Sequence, residues 1–328
     1  MTDATDTSES TDTSEGTGTS ESTDISEGTE FSEHTDASES TDITDAIFTQ
    51  KISSCAEYAA QYHSTAADVG ENTVFTGNLI IEAGNSKCVF STNAIPNHGF
   101  NDGDRSFVNK VSENTANYSV TQTPAKVANA TQLSLSSDNA VFLNGVKLDL
   151  LAAACYDVGP DPLGSEKIGC NDANQPFRYD PMSPTNNFGT DSHNAHTQPD
   201  GTYHYHGNPN AMFYSDTAIE SPVIGFAADG YPIYGSYFND GNTVRKATSS
   251  YSLKPGSRLD VTYKGKTYSP GGTHDGTYID DYEYVNGLGD LDECNGMSVA
   301  GSYGYYVTDD YPWVLKCYKG TPDSSFDK

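Results

Sequence analysis

The sequence predicts a mainly β fold, a single sandwich-like or distorted barrel domain with long loops and few short helices, preceded by a disordered tail. Short apolar runs recur between turn-forming residues, and long helical periodicity is absent. The 30 Gly, 15 Pro and 22 Tyr suit many short strands joined by elaborate loops. Its 328 residues leave room for two average domains, but all-β domains often run to about 200–250 residues as one unit. One large domain over 47–328 is therefore expected behind a tail over 1–46.

The tail is a degenerate repeat of Thr, Ser and acidic residues, such as Thr11-Asp12-Thr13-Ser14-Glu15-Gly16, with 14 Asp and Glu up to Ala46 and no Lys or Arg. It has almost nothing apolar to bury, and its like charges repel, so it cannot offset its ordering entropy. A solvated linker, a stalk, a phosphorylation target or a loose calcium-attracting brush all fit such a composition. From Ala46 onward Tyr58, Tyr62, Val74, Phe75, Leu79, Ile80 and Ile81 begin to supply a core. A short helix is expected over Ser54–His63. Strands are expected at 73–76, 78–82, 117–121, 131–135, 140–143, 202–206, 223–227, 259–263 and 303–308, each bounded by turn residues.

Formal net charge is -29, and both the repeat and the remainder are acidic. No basic patch is available for a phosphate backbone or an anionic membrane surface, which argues against nucleic acid as a partner. No apolar run approaches the length of a membrane span. The first residues lack the basic and apolar regions of a secretory signal, as in a chain whose leader has been removed or whose N-terminus is incomplete. Six cysteines, Cys55, Cys88, Cys155, Cys170, Cys294 and Cys317, form an even set without a CxxC pair. Disulfides in an oxidising compartment are the simplest reading, and neighbour pairing is the simplest of the fifteen possible pairings. The sequons at Asn117 and Asn129 fit a secreted or cell-surface glycoprotein.

Four of the eight histidines fall between His193 and His206. Strand alternation over Gly201-Thr202-Tyr203-His204-Tyr205-His206 puts His204 and His206 on one face and Tyr203 and Tyr205 on the other. Pro199-Asp200-Gly201 suits a three-residue hairpin loop, which pairs Gln198 with Thr202 and brings His196 opposite His204 and Asn194 opposite His206. A loop one residue longer or shorter brings His193 round instead. Three neutral imidazoles with an open position suit Zn²⁺ or Cu²⁺. Histidines bonded to Tyr hydroxyls and backbone carbonyls in a polar core are the bland alternative.

The segment Asn187–Gly207, with Tyr203-His204-Tyr205-His206 inside it, resembles the YHYH domain family. The resemblance extends to Ile224–Gly235, Asp281–Val285, Gly289–Gly296 and an Ile95-Pro96-Asn97-His98 element, over roughly residues 85–322. It implies an extracellular or cell-envelope protein with a metal-binding role in some members. It implies nothing about the acidic repeat.

His98 sits in a rigid turn that could deliver a fourth ligand. Asp290-Leu291-Asp292-Glu293 gathers carboxylates beside Cys294, where Asp292 and Glu293 are the candidate proton carriers, calcium ligands or imidazole partners. Asp229-Gly230-Tyr231-Pro232 reads as a self-capped turn, and His193, Tyr203, Tyr205 and Asp229 stand as supporting or alternative ligands. Gly301–Tyr306 echoes Gly201–His206 with Gly304 and Tyr306 in place of histidines. No GxSxG elbow, phosphate-binding glycine loop or papain-like Cys/His pair is present. The leading expectation is a secreted metal-binding protein with His204, His206 and His196 as ligands, completed by His98 or Glu293, with copper ahead of zinc. A metal-assisted hydrolase or oxidase and a metal-free adhesive surface protein are the alternatives.

Overall fold

A computed structural model describes residues 40–104, 106–159, 169–214 and 219–328. Positions 1–39 of the acidic repeat, expected to be disordered, lie outside the described residues. Its last seven residues belong to the fold instead: Thr41–Asp42 pairs in parallel with Tyr62 and His63, and Ile43 is buried. Asp42 closes this turn by accepting from the Thr44 backbone N–H and hydroxyl at 2.9 and 2.7 Å.

Alternation builds the first sheet, in which Thr41–Asp42, Ala60–Asp68, Thr73–Ala83, Lys87–Thr92 and Ala116–Thr121 lie side by side in chain order. Ser64, Ala66, Asp68, Leu79, Ile81, Cys88, Phe90, Thr92, Tyr118 and Val120 face inward while their neighbours face water, so one side is solvated. The helix expected over Ser54–His63 is corrected: only Cys55–Tyr58 forms a 3₁₀ turn, and the strand starts at Ala60. The period of two in the residues that follow wins over the short apolar cluster. The two strands expected at 73–76 and 78–82 are one, continuous through Gly77.

The second sheet has eight strands in the order Gly296–Val299, Ser302–Tyr306, Pro232–Tyr234, Val223–Ala227, Ala140–Phe142, Lys147–Leu148, Tyr203–Tyr205 and Ala195–Thr197. Its central strands are buried on both faces, as their continuous apolar character requires. The sheets pack against each other: Phe226 meets Phe90 and Tyr58 with ring centroids 5.9 and 5.7 Å apart, and Thr92 Oγ1 donates to the Gly145 carbonyl at 2.8 Å. Neither sheet closes on itself, so the sandwich-like alternative describes the fold and the barrel does not.

The three disulfides join Cys55 to Cys88, Cys155 to Cys170 and Cys294 to Cys317. Neighbours in sequence are paired, as expected. A satellite cluster of Ala152, Ala154, Phe177, Tyr179, Phe188, Tyr268 and Tyr278 packs beside the main core. The buried Arg178 guanidinium ties its loops together, donating to the carbonyls of Ala152, Cys170 and Asp172 at 2.5, 3.1 and 2.7 Å. These loops form one wall of the cavity described next.

Candidate metal centre

The Pro199–Gly201 loop closes the expected hairpin. Gly201 takes φ +84° and donates to the Gln198 carbonyl at 2.9 Å, while the Gln198 N–H donates to the Thr202 carbonyl at 2.9 Å. A Cβ at Gly201 would meet Ser112 Oγ at 2.3 Å and the Lys110 carbonyl at 2.6 Å, so glycine is required both by conformation and by space. The register then pairs Tyr203 with Thr197, His204 with His196 and Tyr205 with Ala195, and the His206 N–H donates to the Asn194 carbonyl at 2.9 Å.

Alternation along this hairpin gathers His196, His204 and His206 on one face. The Nε2 atoms converge: His206 Nε2 is 3.0 Å from that of His204 and 3.0 Å from that of His196. All three rings are buried, with ligand atoms within 4.8 Å of one another. Two imidazole nitrogens held by one zinc ion at about 2.1 Å stand no more than ~4.2 Å apart, so both 3.0 Å separations suit a shared ion. Three such donors could hold a metal ion.

Backbone carbonyls orient two of the rings. His196 Nδ1 lies 2.7 Å from the Phe188 carbonyl and His204 Nδ1 lies 3.3 Å from that of Thr202. A proton on Nδ1 in each leaves the Nε2 lone pair facing the centre. Burial, reinforced by the neighbouring imidazoles, pushes His204 and His206 well below the usual histidine range. They therefore face one another as neutral rings at neutral pH, the protonation state in which an imidazole can act as a metal ligand. The three histidines line a cavity of about 600 Å³ that is also bordered by Phe188, Gln198 and Asp149.

The opposite face of the Tyr203–Tyr205 strand is structural. Tyr203 donates to Asp191 Oδ2 at 2.8 Å. The Tyr205 hydroxyl accepts from Asn144 Nδ2 at 3.0 Å and donates to His98 Nε2 at 2.6 Å, while His98 Nδ1 donates to the Gly99 carbonyl at 2.8 Å. His98 is thus corrected from fourth ligand to core histidine, because the turn that carries it packs on the tyrosine face. Burial holds it down to about 4. His193 packs on His98 with ring centroids 4.0 Å apart and planes tilted by 45°, and pairs with Asn210 Oδ1 at 2.8 Å, away from the three.

The acidic candidates are also corrected. Glu293 pairs with Lys319 at 2.5 Å, and Asp292 caps its own turn through the N–H groups of Cys294 and Gly296, both at 3.0 Å. Neither borders the cavity. Asp229 accepts from the Tyr231 N–H at 3.3 Å, the expected self-capped turn, and also from Tyr305 and Gly320 at 2.7 and 2.8 Å. The Ser302–Tyr306 strand that echoes the histidine motif lies near the far edge of the same sheet. There a Cβ on Gly304 would meet the Tyr234 ring at 2.5 Å, so that position packs instead of binding.

Asp149 escaped the sequence reading and Gln198 entered it only as a hairpin residue, yet both border the cavity. Lys147 and Asp149 alternate with the apolar Val146, Leu148 and Leu150, a pattern of two charges on one face of a buried strand. Their nearness to the histidines comes from a parallel pairing that matches His204 with Lys147 and Tyr205 with Leu148.

The chain matches the model of the family described as "YHYH protein" over residues 117–320. No curated protein and no solved structure matches it. The Ile95–His98 element, expected to share the resemblance, falls outside the matched residues. The match spans more than half of the chain and contains the entire histidine hairpin, so this chain belongs to the YHYH protein family.

Proposed function

We propose that this protein works outside the cell and holds one transition-metal ion, copper or zinc, through the Nε2 atoms of His196, His204 and His206. The convergence of three buried imidazole nitrogens beside a cavity carries this reading. Three disulfides with no free cysteine support an oxidising compartment. Elemental analysis and calorimetry on the untagged chain test it. One equivalent of Cu²⁺ or Zn²⁺ is expected in the wild type, and at least a hundredfold weaker binding, about 3 kcal/mol, in a His204→Ala/His206→Ala variant. Absence of stoichiometric metal, or retention unchanged in that variant, overturns it.

A second reading, metal-assisted chemistry on a small molecule, is favoured by the cavity itself, since three histidines leave room for a further ligand on that side. Asp292 and Glu293 take no part in it, being committed to Lys319 and to their own turn. Azide added to copper-loaded protein should change its visible spectrum. An unchanged spectrum at saturating azide removes this reading and leaves metal holding alone.

A further inference from the structure

His206 differs from its two companions. The Nδ1 atoms of His196 and His204 each meet a backbone carbonyl, but His206 Nδ1 is buried without a hydrogen-bond partner among the described residues. The Leu150 backbone lies beside it, yet no hydrogen bond of ordinary geometry forms. One neighbouring acceptor is in the same condition: Asp149 Oδ1, likewise buried and unpartnered.

We infer that Asp149 is the positioning carboxylate of His206, its Oδ1 coming to accept the Nδ1–H hydrogen bond when an ion is bound and so holding the ring on the metal. The inference rests on the reading that the three histidines hold an ion. Strand register places the two residues together. His204 and Tyr205 pair in parallel with Lys147 and Leu148, and the Asp149 N–H donates to the Tyr205 carbonyl at 3.0 Å, which sets Asp149 level with His206. Alternation puts both side chains on the cavity face, and both line the cavity.

The atoms are complementary in chemistry. With an ion held on Nε2 beside the other two imidazoles, the His206 proton resides on Nδ1, a donor that needs an acceptor. The carboxylate is anchored through its other oxygen: Oδ2 accepts from Gln198 Nε2 at 2.9 Å and pairs with Lys328. Gln198 is in turn oriented by Lys147 Nζ, which donates to its Oε1 at 3.0 Å. Oδ1 is thereby left for the imidazole. A metal on Nε2 makes Nδ1–H a stronger donor, and a carboxylate there makes the ring a better ligand.

The test is zinc calorimetry on the full chain, with carbon and nitrogen NMR of the labelled protein. Asp149→Asn should bind zinc about 10- to 100-fold more weakly and lose the downfield His206 Nδ1–H signal. Asp138→Asn removes one negative charge from the same lysine cluster: Asp138 pairs with Lys147 at 2.9 Å and with Lys328, the partner it shares with Asp149, at 3.5 Å, but it does not line the cavity. Its zinc affinity should match the wild type. In the unsubstituted protein zinc should shift the Asp149 carboxyl carbon and leave that of Asp138 in place, a measurement that needs no variant to fold. Wild-type affinity in Asp149→Asn, equal losses in both variants, or an unmoved Asp149 carboxyl resonance overturns the inference while the metal site stands. A wild type that takes up no zinc or copper overturns both.

Discussion

On one face of the Tyr203–Tyr205 strand, two phenols sit in a network where each hydroxyl is hydrogen-bonded, to Asp191 in one case and to His98 and Asn144 in the other. On the other face, His204 and the adjoining His206 turn Nε2 atoms toward His196 beside a cavity, with His206 Nδ1 and Asp149 Oδ1 unpartnered among the described residues. Adjacent residues of one strand thus enter opposite regimes. Satisfied buried polar groups lock a fold, whereas unsatisfied ones that converge on a cavity cost stability unless a ligand answers them. The tyrosine face carries a satisfied hydrogen-bond network, and the histidine face gathers the three imidazoles that could hold an ion.

The comparison is broken most severely at the loop that serves both faces. Gly201→Ala forces a Cβ against Ser112 and Lys110 at positive φ. Chemical denaturation should show a loss of about 3 kcal/mol or more, accompanied by weaker metal binding as His196 slips against His204. A variant with wild-type stability and metal affinity contradicts the account of the hairpin.

Tyr205→Phe sharpens the contrast by touching one face alone. It leaves His98 Nε2 without its donor and Asn144 Nδ2 without one acceptor, a cost of about 1–3 kcal/mol. Metal affinity, measured by calorimetry on the same preparation, should stay at the wild-type value. A large fall in affinity with little change in stability would mean that the faces are coupled.

The most gradual effect is a pH dependence on the tyrosine face. His98 titrates near 4 when folded against about 6.5 unfolded, so between those values the unfolded chain binds more protons. Its contribution is fully present above about pH 6.5 and is lost as the pH falls toward 4, at a slope of at most ~1.4 kcal/mol per unit. Asp180, raised to about 6 by burial, works in the opposite direction and is common to wild type and variant. Unfolding free energies from pH 6.5 to 4 should therefore fall less steeply in His98→Asn than in the wild type. Parallel curves would remove His98 from the acid response.

Much of the site is legible in the sequence because it is local. A proline-aspartate-glycine loop fixes the pairing of the residues on either side, and the period of two then assigns each side chain to a face. The cysteine pairing follows chain order, so the simplest assumption holds. The misplaced elements are those for which a local pattern has two readings. Apolar residues after Ser54 suit a helix or a strand until the sheet claims them, and Ile95–His98 forms a turn that can pack on either face of its target.

Alternation, turn chemistry and composition are properties of adjacent residues, so the sequence alone determined a β-rich, disulfide-linked fold with His196, His204 and His206 on one surface. The carboxylates beside them were decided only by tertiary structure. Asp292 and Glu293 sit next to a cysteine and a recognisable motif, yet Lys319 and their own turn hold them away from the cavity. Asp149 lies 55 residues before His204 and reaches its place through a parallel strand pairing. Such a pairing leaves no mark in local sequence, because it is set by how two sheets bury their faces.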